Sequence, residues 1–329
     1  MNADKKLSPV LALVAAVAVL AAVVEYMAPA AGATRIVREA NAVSTTAIRV
    51  GGKSYPRTAQ DSDDSVVQVA RPVRSVVSQY WAIDEFLYAV VPPANVTGVS
   101  QSAYLEKFSN VFSHVQKYRP AVATDPERVI RINADLILVS SNARADYTAV
   151  VRSTGVPIHR MFTAFTTLGQ VAEAIRLVGY LTGEDASAEA EYKRFSDAVN
   201  RAKRRRPPDM THPRVLGLGG LNTYGSGTLF HDVIQTLGGV NVGAEGGLRG
   251  YATVSTEQVL RWDPEWIVVG AEGDKTKEQL AKLMADPAIS ITQAARNGRI
   301  VVIDYRVFLP MSPYTRIFLD VLGDTLYGR

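Results

Sequence analysis

Glu127-Arg-Val-Ile-Arg-Ile-Asn-Ala-Asp-Leu-Ile-Leu-Val-Ser140 is followed, 130 residues later, by Glu257-Gln-Val-Leu-Arg-Trp-Asp-Pro-Glu-Trp-Ile-Val-Val-Gly270. The two stretches align without a gap. Five of the 14 positions are identical: the Glu, Val, Arg, Ile and Val at 127, 129, 131, 137 and 139. Each stretch reads as a short helix opened by a carboxylate, then a strand apolar at nearly every position. Negative charge in the first helical turn complements the helix dipole. A strand without polar alternation is covered on both faces, the signature of a parallel sheet between helices. The period is far too long for a solenoid. One repeat unit is a whole lobe, so the chain holds two copies of one α/β unit.

The flanking sequence fits that plan. In the first copy, strands are expected at Arg74–Ser78, Val96–Val99, Asp135–Val139 and from Val156, with helices at Ile83–Val91, Glu127–Ile132 and up to Thr154. In the second copy, strands are expected at Arg214–Leu218, Trp266–Val269 and Ile300–Ile303. The helices between and after them are Thr228–Leu237, Glu257–Trp262, Lys277–Met284 and Ser312–Leu326. Strand and helix alternate throughout, which predicts an α/β fold of two Rossmann-like lobes with central parallel sheets. Between them Leu168, Val171, Ala172, Ile175 and Val178 recur at helical spacing, and Gly179 and Gly183 punctuate the end. Glu184 to Arg206 then runs without Gly or Pro until Pro207-Pro208 stops it. At 1.5 Å per residue that helix is about 30 Å long. It is the expected connector.

The expected organisation is thus 1–33 a targeting segment, 34–72 a polar lead-in, 73–182 the first lobe, 183–207 the connecting helix and 208–329 the second lobe. The lead-in carries a hairpin, Ala47–Val50 against Lys53–Arg57 around Gly51-Gly52, and an acidic loop at Gln60–Ser65. At the N-terminus, Lys5 and Lys6 precede the unbroken apolar run Val10–Val24, and Ala28-Pro29-Ala30 and Ala31-Gly32-Ala33 follow it. That order is an export signal. Leu7 to Val24 is also near the shortest length that spans a bilayer, so an uncleaved anchor is the alternative. Either reading places the rest of the chain outside the cytoplasm.

Composition removes several classes. The net charge is +4, from 36 basic and 32 acidic residues. It is too small and too evenly spread for nucleic-acid binding, and Lys203-Arg204-Arg205-Arg206 reads as the cationic end of a helix. There is no cysteine, hence no disulfide scaffold, thiolate metal site or lipidated N-terminal cysteine. His114, His159, His212 and His231 do not recur at ligand spacing, so no bare-metal site is expected. Gly225-Ser226-Gly227 lacks the spacing of a nucleophile elbow. Gly217-Leu218-Gly219-Gly220 lacks the third glycine of a dinucleotide loop. The chain reads as a binder, not an enzyme.

From about Arg74 to the C-terminus the sequence resembles the periplasmic binding proteins that serve ABC importers of iron chelates, haem and cobalamin. The resemblance rests on Arg74–Ser78 with Val96–Ser100, on Glu127–Ser140, and on Leu177-Val-Gly-Tyr-Leu-Thr-Gly183. It continues in Gly225–Phe230 with Leu237-Gly-Gly-Val-Asn-Val242, and in Val254–Leu260 with Asp263-Pro264. It implies two lobes joined by one rigid helix, a monomer, and a ligand held between the lobes at the strand ends. It also implies that Glu127 and Glu257 dock onto the permease dimer. The ligand would be a metal chelate: a ferric siderophore, haem or cobalamin. On this frame the ligand-binding candidates are Tyr80, Trp81, Gln101, Tyr104 and Arg144 on the first lobe. On the second they are Asn222, Tyr224, Arg249, Tyr251 and Arg306. Tyr and Trp offer flat faces with a polar edge, and Arg offers a two-pronged donor for carboxylate or phosphate. Gln79–Asp84 departs from the family's small-residue start of the first helix. A sensing or interaction ectodomain of the same fold is the alternative role.

A helix cannot hinge without breaking its backbone hydrogen bonds. Ligand binding is therefore expected to close the lobes only slightly, and small-angle scattering should show nearly equal radii of gyration with and without ligand.

Overall fold

The computed structural model describes residues 54–328 except 116–120, 123–125 and 221. The targeting segment lies outside these residues. Among the described residues no helix is long and apolar enough to cross a membrane. The first arm and Gly51-Gly52 turn of the expected hairpin also lie outside them. The described hairpin sits one strand later: β1 (Arg57–Gln60) pairs antiparallel with β2 (Val66–Val69), Arg57 opposite Val69. The acidic loop is its turn. Asp61 Oδ1 accepts from the backbone N–H of Asp63 and Ser65, which folds the turn on itself. Its other oxygen accepts from Arg152.

The first sheet contains β3 (Val76–Ser78), β4 (Val96–Ser100), β5 (Ala121–Val122), β6 (Leu136–Ser140) and β7 (Ile158–Met161), all parallel, in the order β5-β4-β3-β6-β7. All five residues of β6 are buried, as its lack of alternation requires. The helices between them are α1 (Trp81–Val90), α2 (Phe112–Val115), α3 (Pro126–Ile132) and α4 (Ala145–Arg152). In α1, Ile83, Phe86, Leu87 and Val90 bury one face at helical spacing. Strand order reverses between β3 and β6, and a crevice opens beyond the strand ends at such a switch.

The chain leaves this sheet through two helices, α5 (Leu168–Thr182) and α6 (Asp185–Lys203). A reciprocal cap starts α5: Gln170 N–H donates to the Thr167 hydroxyl, and the Gln170 side chain accepts from the Thr167 N–H. Gly183 ends it in the left-handed region at φ 85°. The long connecting helix expected at 184–206 is α6, but it is not solitary. The chain reverses at Gly183, and α5 lies back along α6. Arg176 pairs with Glu189, 13 residues on, and a Cβ on Gly179 would come within 2.2 Å of the Ala188 methyl. The sequence patterns of both helices were plain, but their mutual packing depends on this reversal.

The second sheet contains β8 (Arg214–Gly219), β9 (Asn222–Tyr224), β10 (Val240–Asn241), β11 (Tyr251–Thr253), β12 (Trp266–Ala271) and β13 (Ile300–Asp304). Its order is β11-β9-β8-β12-β13, with β10 also on β8. Strands β8, β10, β12 and β13 run parallel. Asn222 to Tyr224, expected as a loop, is instead a strand turning back antiparallel on β8, with Gly219 opposite Asn222. Gly220, at φ 66°, permits so tight a reversal. The helices here are α7 (Leu229–Thr236), α8 (Val242–Glu245), α9 (Thr256–Trp262), α10 (Thr276–Ala285), α11 (Pro287–Ser290), α12 (Gln293–Arg296) and α13 (Thr315–Tyr327). Helix α6 is bound to α13 by Arg201–Asp320, Arg205–Asp324 and Arg316–Glu191.

The hairpin β1–β2 braces the α5–α6 turn. Arg57 is 5 % exposed and lies between the rings of Tyr55 and Tyr180. It donates to the Tyr180 carbonyl at 2.6 Å and to Asp185 at 2.7 Å. Removing it strands a carbonyl and a half-buried carboxylate. Arg57→Ala should lower the unfolding free energy by about 2–3 kcal/mol in urea titration. Arg57→Lys should recover less than half, because an ammonium lacks the planar fork. An unchanged urea midpoint in Arg57→Ala would contradict this role.

Candidate functional site

The ends of β3, β4 and β6 meet the loops that follow β12 and β13 across a gap. On the first lobe the gap begins at Tyr80, the residue before α1. The Ser78 hydroxyl accepts from the Tyr80 N–H and donates to its carbonyl, which sets the turn. Tyr80 and Trp81 are half-buried, with ring centroids 5.7 Å apart. One turn into α1, Asp84 is wholly buried and accepts from both the N–H and the hydroxyl of Ser100. This bond fixes the end of β4, from which Gln101 and Tyr104 project on a 3₁₀ turn, Gln101 exposed and Tyr104 half-buried. Burial lifts the Asp84 carboxyl to about 7, against the opposing pull of Ser100 and Ser78. Beyond β6, the Ser140 and Thr163 hydroxyls are bonded at 2.8 Å. Arg144 is exposed and holds Asp146 in a two-pronged pair at 2.6 and 3.1 Å.

On the second lobe Tyr251 stands on the edge strand. Its phenol is raised above the ordinary value by burial, and the Tyr80 phenol of the other lobe adds to the rise. Tyr224 is 4 % exposed. It meets Tyr251 edge-on at 5.6 Å, stacks on Phe230 at 4.9 Å and touches Phe308. It backs the cleft wall instead of opening onto it. Burial raises its phenol too, and the Tyr251 and Tyr305 phenols contribute. Asn222 sits at the cleft end of β9, where its amide oxygen accepts from Thr253 at 2.8 Å. Arg249 is exposed, next to the bridge that joins its backbone to Ser226. Arg306 is exposed and its guanidinium is taken up by Asp304.

The expected residues thus divide. Tyr80 pairs with Trp81 on the first lobe, and Tyr251 packs on the buried Tyr224 on the second. Arg144 and Arg306 each spend their charge on a neighbour two residues away. Residues outside the expected set join the lobes directly. The Phe108 ring stacks on Tyr305 at 5.2 Å and 10°. Lys107 pairs with Glu272 at 3.0 Å and Asp274 at 3.2 Å. Asn110 donates to the Arg306 carbonyl and to Glu85, and Glu85 accepts from Ser312. Glu85 is buried, which lifts its carboxyl to about 7. No spacing rule marks these residues, because each partner on the opposite lobe is more than 160 positions away.

Glu127 and Glu257 lie at matching places, in the first turns of α3 and α9, and both are exposed. Glu127 has Arg131 at 3.7 Å. The Ser255 hydroxyl holds the Glu257 carboxyl below its usual range. Among the described residues no group of three or more His, Asp or Glu could hold a metal ion.

Residues 76–307 match the family model described as periplasmic binding protein. A cobalamin-binding protein of Halobacterium salinarum is 26% identical over 255 residues, covering 76% of this chain and 69% of that one. The vitamin B12-binding protein of Salmonella typhimurium is 25% identical over 248 residues, covering 66% and 88%. Among solved structures, the periplasmic haem-binding protein RhuT of Roseiflexus superposes with a TM-score of 0.67 at 22% identity, over 77% of this chain and 98% of that one. With a matched segment spanning both sheets, the chain belongs to the periplasmic binding protein family.

Proposed function

We propose that the chain is the extracytoplasmic substrate-binding component of an ABC importer. Its family is one of binding proteins, not enzymes. Its ligand would be a metal chelate held between the lobes, and a cobalamin-type corrinoid is the class the site supports best. The observation that carries this is two pairs of aromatic rings at the strand ends, Tyr80 with Trp81 at the start of α1 on the first lobe and Tyr251 with the buried Tyr224 on the second. Flat aromatic faces suit a large conjugated ring. Burial holds the Tyr251 phenol neutral, as a hydrogen-bond donor and acceptor and not an anion. Neutral phenols suit the amide-rich rim of a corrinoid, whereas a ferric centre would draw on a phenolate. The cobalamin-binding relatives support the same choice. Haem and ferric siderophores are the competing ligands.

Side-by-side titration with cyanocobalamin, haemin and a ferric siderophore tests the ligand. Cyanocobalamin should bind with a Kd below about 1 μM, and Tyr251→Ala should weaken it by about tenfold or more. A Soret band with haemin and no binding of cyanocobalamin would overturn the corrinoid reading.

Glu127 and Glu257 are proposed to dock the two lobes onto a permease dimer, each meeting a cation on the partner. They occupy equivalent exposed positions on the two copies of the repeat, as a two-fold partner requires. Glu127→Arg with Glu257→Arg should abolish uptake of labelled ligand in cells while ligand affinity of the purified protein stays unchanged. Full uptake by the double variant would remove the docking role.

A further inference from the structure

The segment Lys107–Asn110 belongs to the first lobe, yet its contacts reach across to two loops of the second, those after β12 and β13. Its burial runs in a gradient. At the deep end Glu85 is 1 % exposed and Ser312 is fully buried. Asn110 lies between that pair and the Arg306 carbonyl, donating to both sides at 2.8 Å. Next comes the half-buried Phe108 ring on Tyr305. At the open end Lys107, 48 % exposed, reaches Glu272 and Asp274. Bonds in the deep part are costly to break, because parting them leaves a buried carboxylate without donors. The outer contacts are cheap: surface ion pairs contribute little, and one aromatic stack adds modestly.

The geometry points to an interlobe latch. The Glu85–Asn110–Ser312 node is a fixed pivot, and Lys107 with Phe108 is a lip that releases to admit ligand and closes over it. The connecting helices α5 and α6 supply a second tie between the lobes: the Leu168 N–H, at the start of α5, donates to Asp232 of α7 at 2.7 Å. Opening is thereby a rotation of one lobe on the other about these two ties, widest at the lip. The lip also touches the ligand wall. Phe108 stacks on Tyr305, Tyr305 and Phe308 both lie against Gly270, Phe308 meets Tyr224 at 6.0 Å, and Tyr224 packs on Tyr251. Gly270 makes room for this arrangement. A Cβ there would come within 2.7 Å of Phe308 and 2.8 Å of Tyr305. The functional consequence rests on the cleft being the ligand site, but the lobe motion does not.

The chain has no cysteine, so two can be introduced without background. Val150→Cys on the first lobe and Ile291→Cys on the second replace exposed side chains, 48 % and 53 %. Spin labels at these positions, read by pulsed dipolar spectroscopy without ligand, should give one narrow interlobe distance. Adding Lys107→Ala with Phe108→Ala should produce a second, longer-distance population. Glu272→Gln with Asp274→Asn keeps the size of both side chains and removes only their charge. It should give the same population in smaller amount and abolish the effect of added salt on the distances. Cyanocobalamin should leave the Lys107→Ala, Phe108→Ala protein about tenfold faster than the parent. Distance distributions that match the parent in both variants would overturn the latch. Failure of cyanocobalamin to bind, with the distances shifted, would overturn the corrinoid reading and leave the latch standing.

Discussion

A strand apolar on both faces must be covered on both faces, and everything else in this protein follows from that constraint. Helices occupy the faces of β3, β6, β8 and β12, so the strand ends alone remain for chemistry. Two such sheets set end to end leave one gap between them. The loops that leave the strands meet there, and they carry the tyrosines. A single sheet of the same strands would have presented those loops along one open edge, with nothing to face them.

Two adjacent carboxylates on α1 divide the work of holding the gap. Asp84 and Glu85 are neighbours in sequence and both are buried. Being consecutive on a helix, they point about 100° apart. Asp84 turns into its own lobe and holds Ser100. Glu85 turns out to the second lobe and holds Ser312. Burying a carboxylate is unfavourable unless donors surround it, so each also dictates where its donors must sit. One fixes the end of a strand beside the cleft, the other fixes the spacing between lobes.

The repeat shows where two copies of one unit have diverged. Ser140 and Gly270 end the two aligned stretches. Ser140 is buried and bonded to Thr163 within its own lobe. Gly270 has no side chain because the rings of Tyr305 and Phe308 lie against its backbone. The first copy closes that corner with a hydrogen bond. The second opens it for an aromatic residue that reaches the other lobe. By contrast Glu127 and Glu257, on the outer surface, stayed identical in type and place.

By itself the sequence determined the two sheets, their parallel sense and the long helix between them, because apolar periodicity records which faces are covered. It did not show the β1–β2 pairing, whose turn Asp61 closes on itself and ties through its other oxygen to Arg152, far along the chain. It read Asn222–Tyr224 as a loop, because a three-residue strand has no period to detect. Only the tertiary structure decided that Arg144 and Arg306 are neutralised by their neighbours, that Tyr224 stands behind the wall, and that Lys107–Asn110 grips the opposite lobe. Each of those depends on the distance between side chains remote in sequence or on a rotamer, and neither quantity is encoded in local pattern.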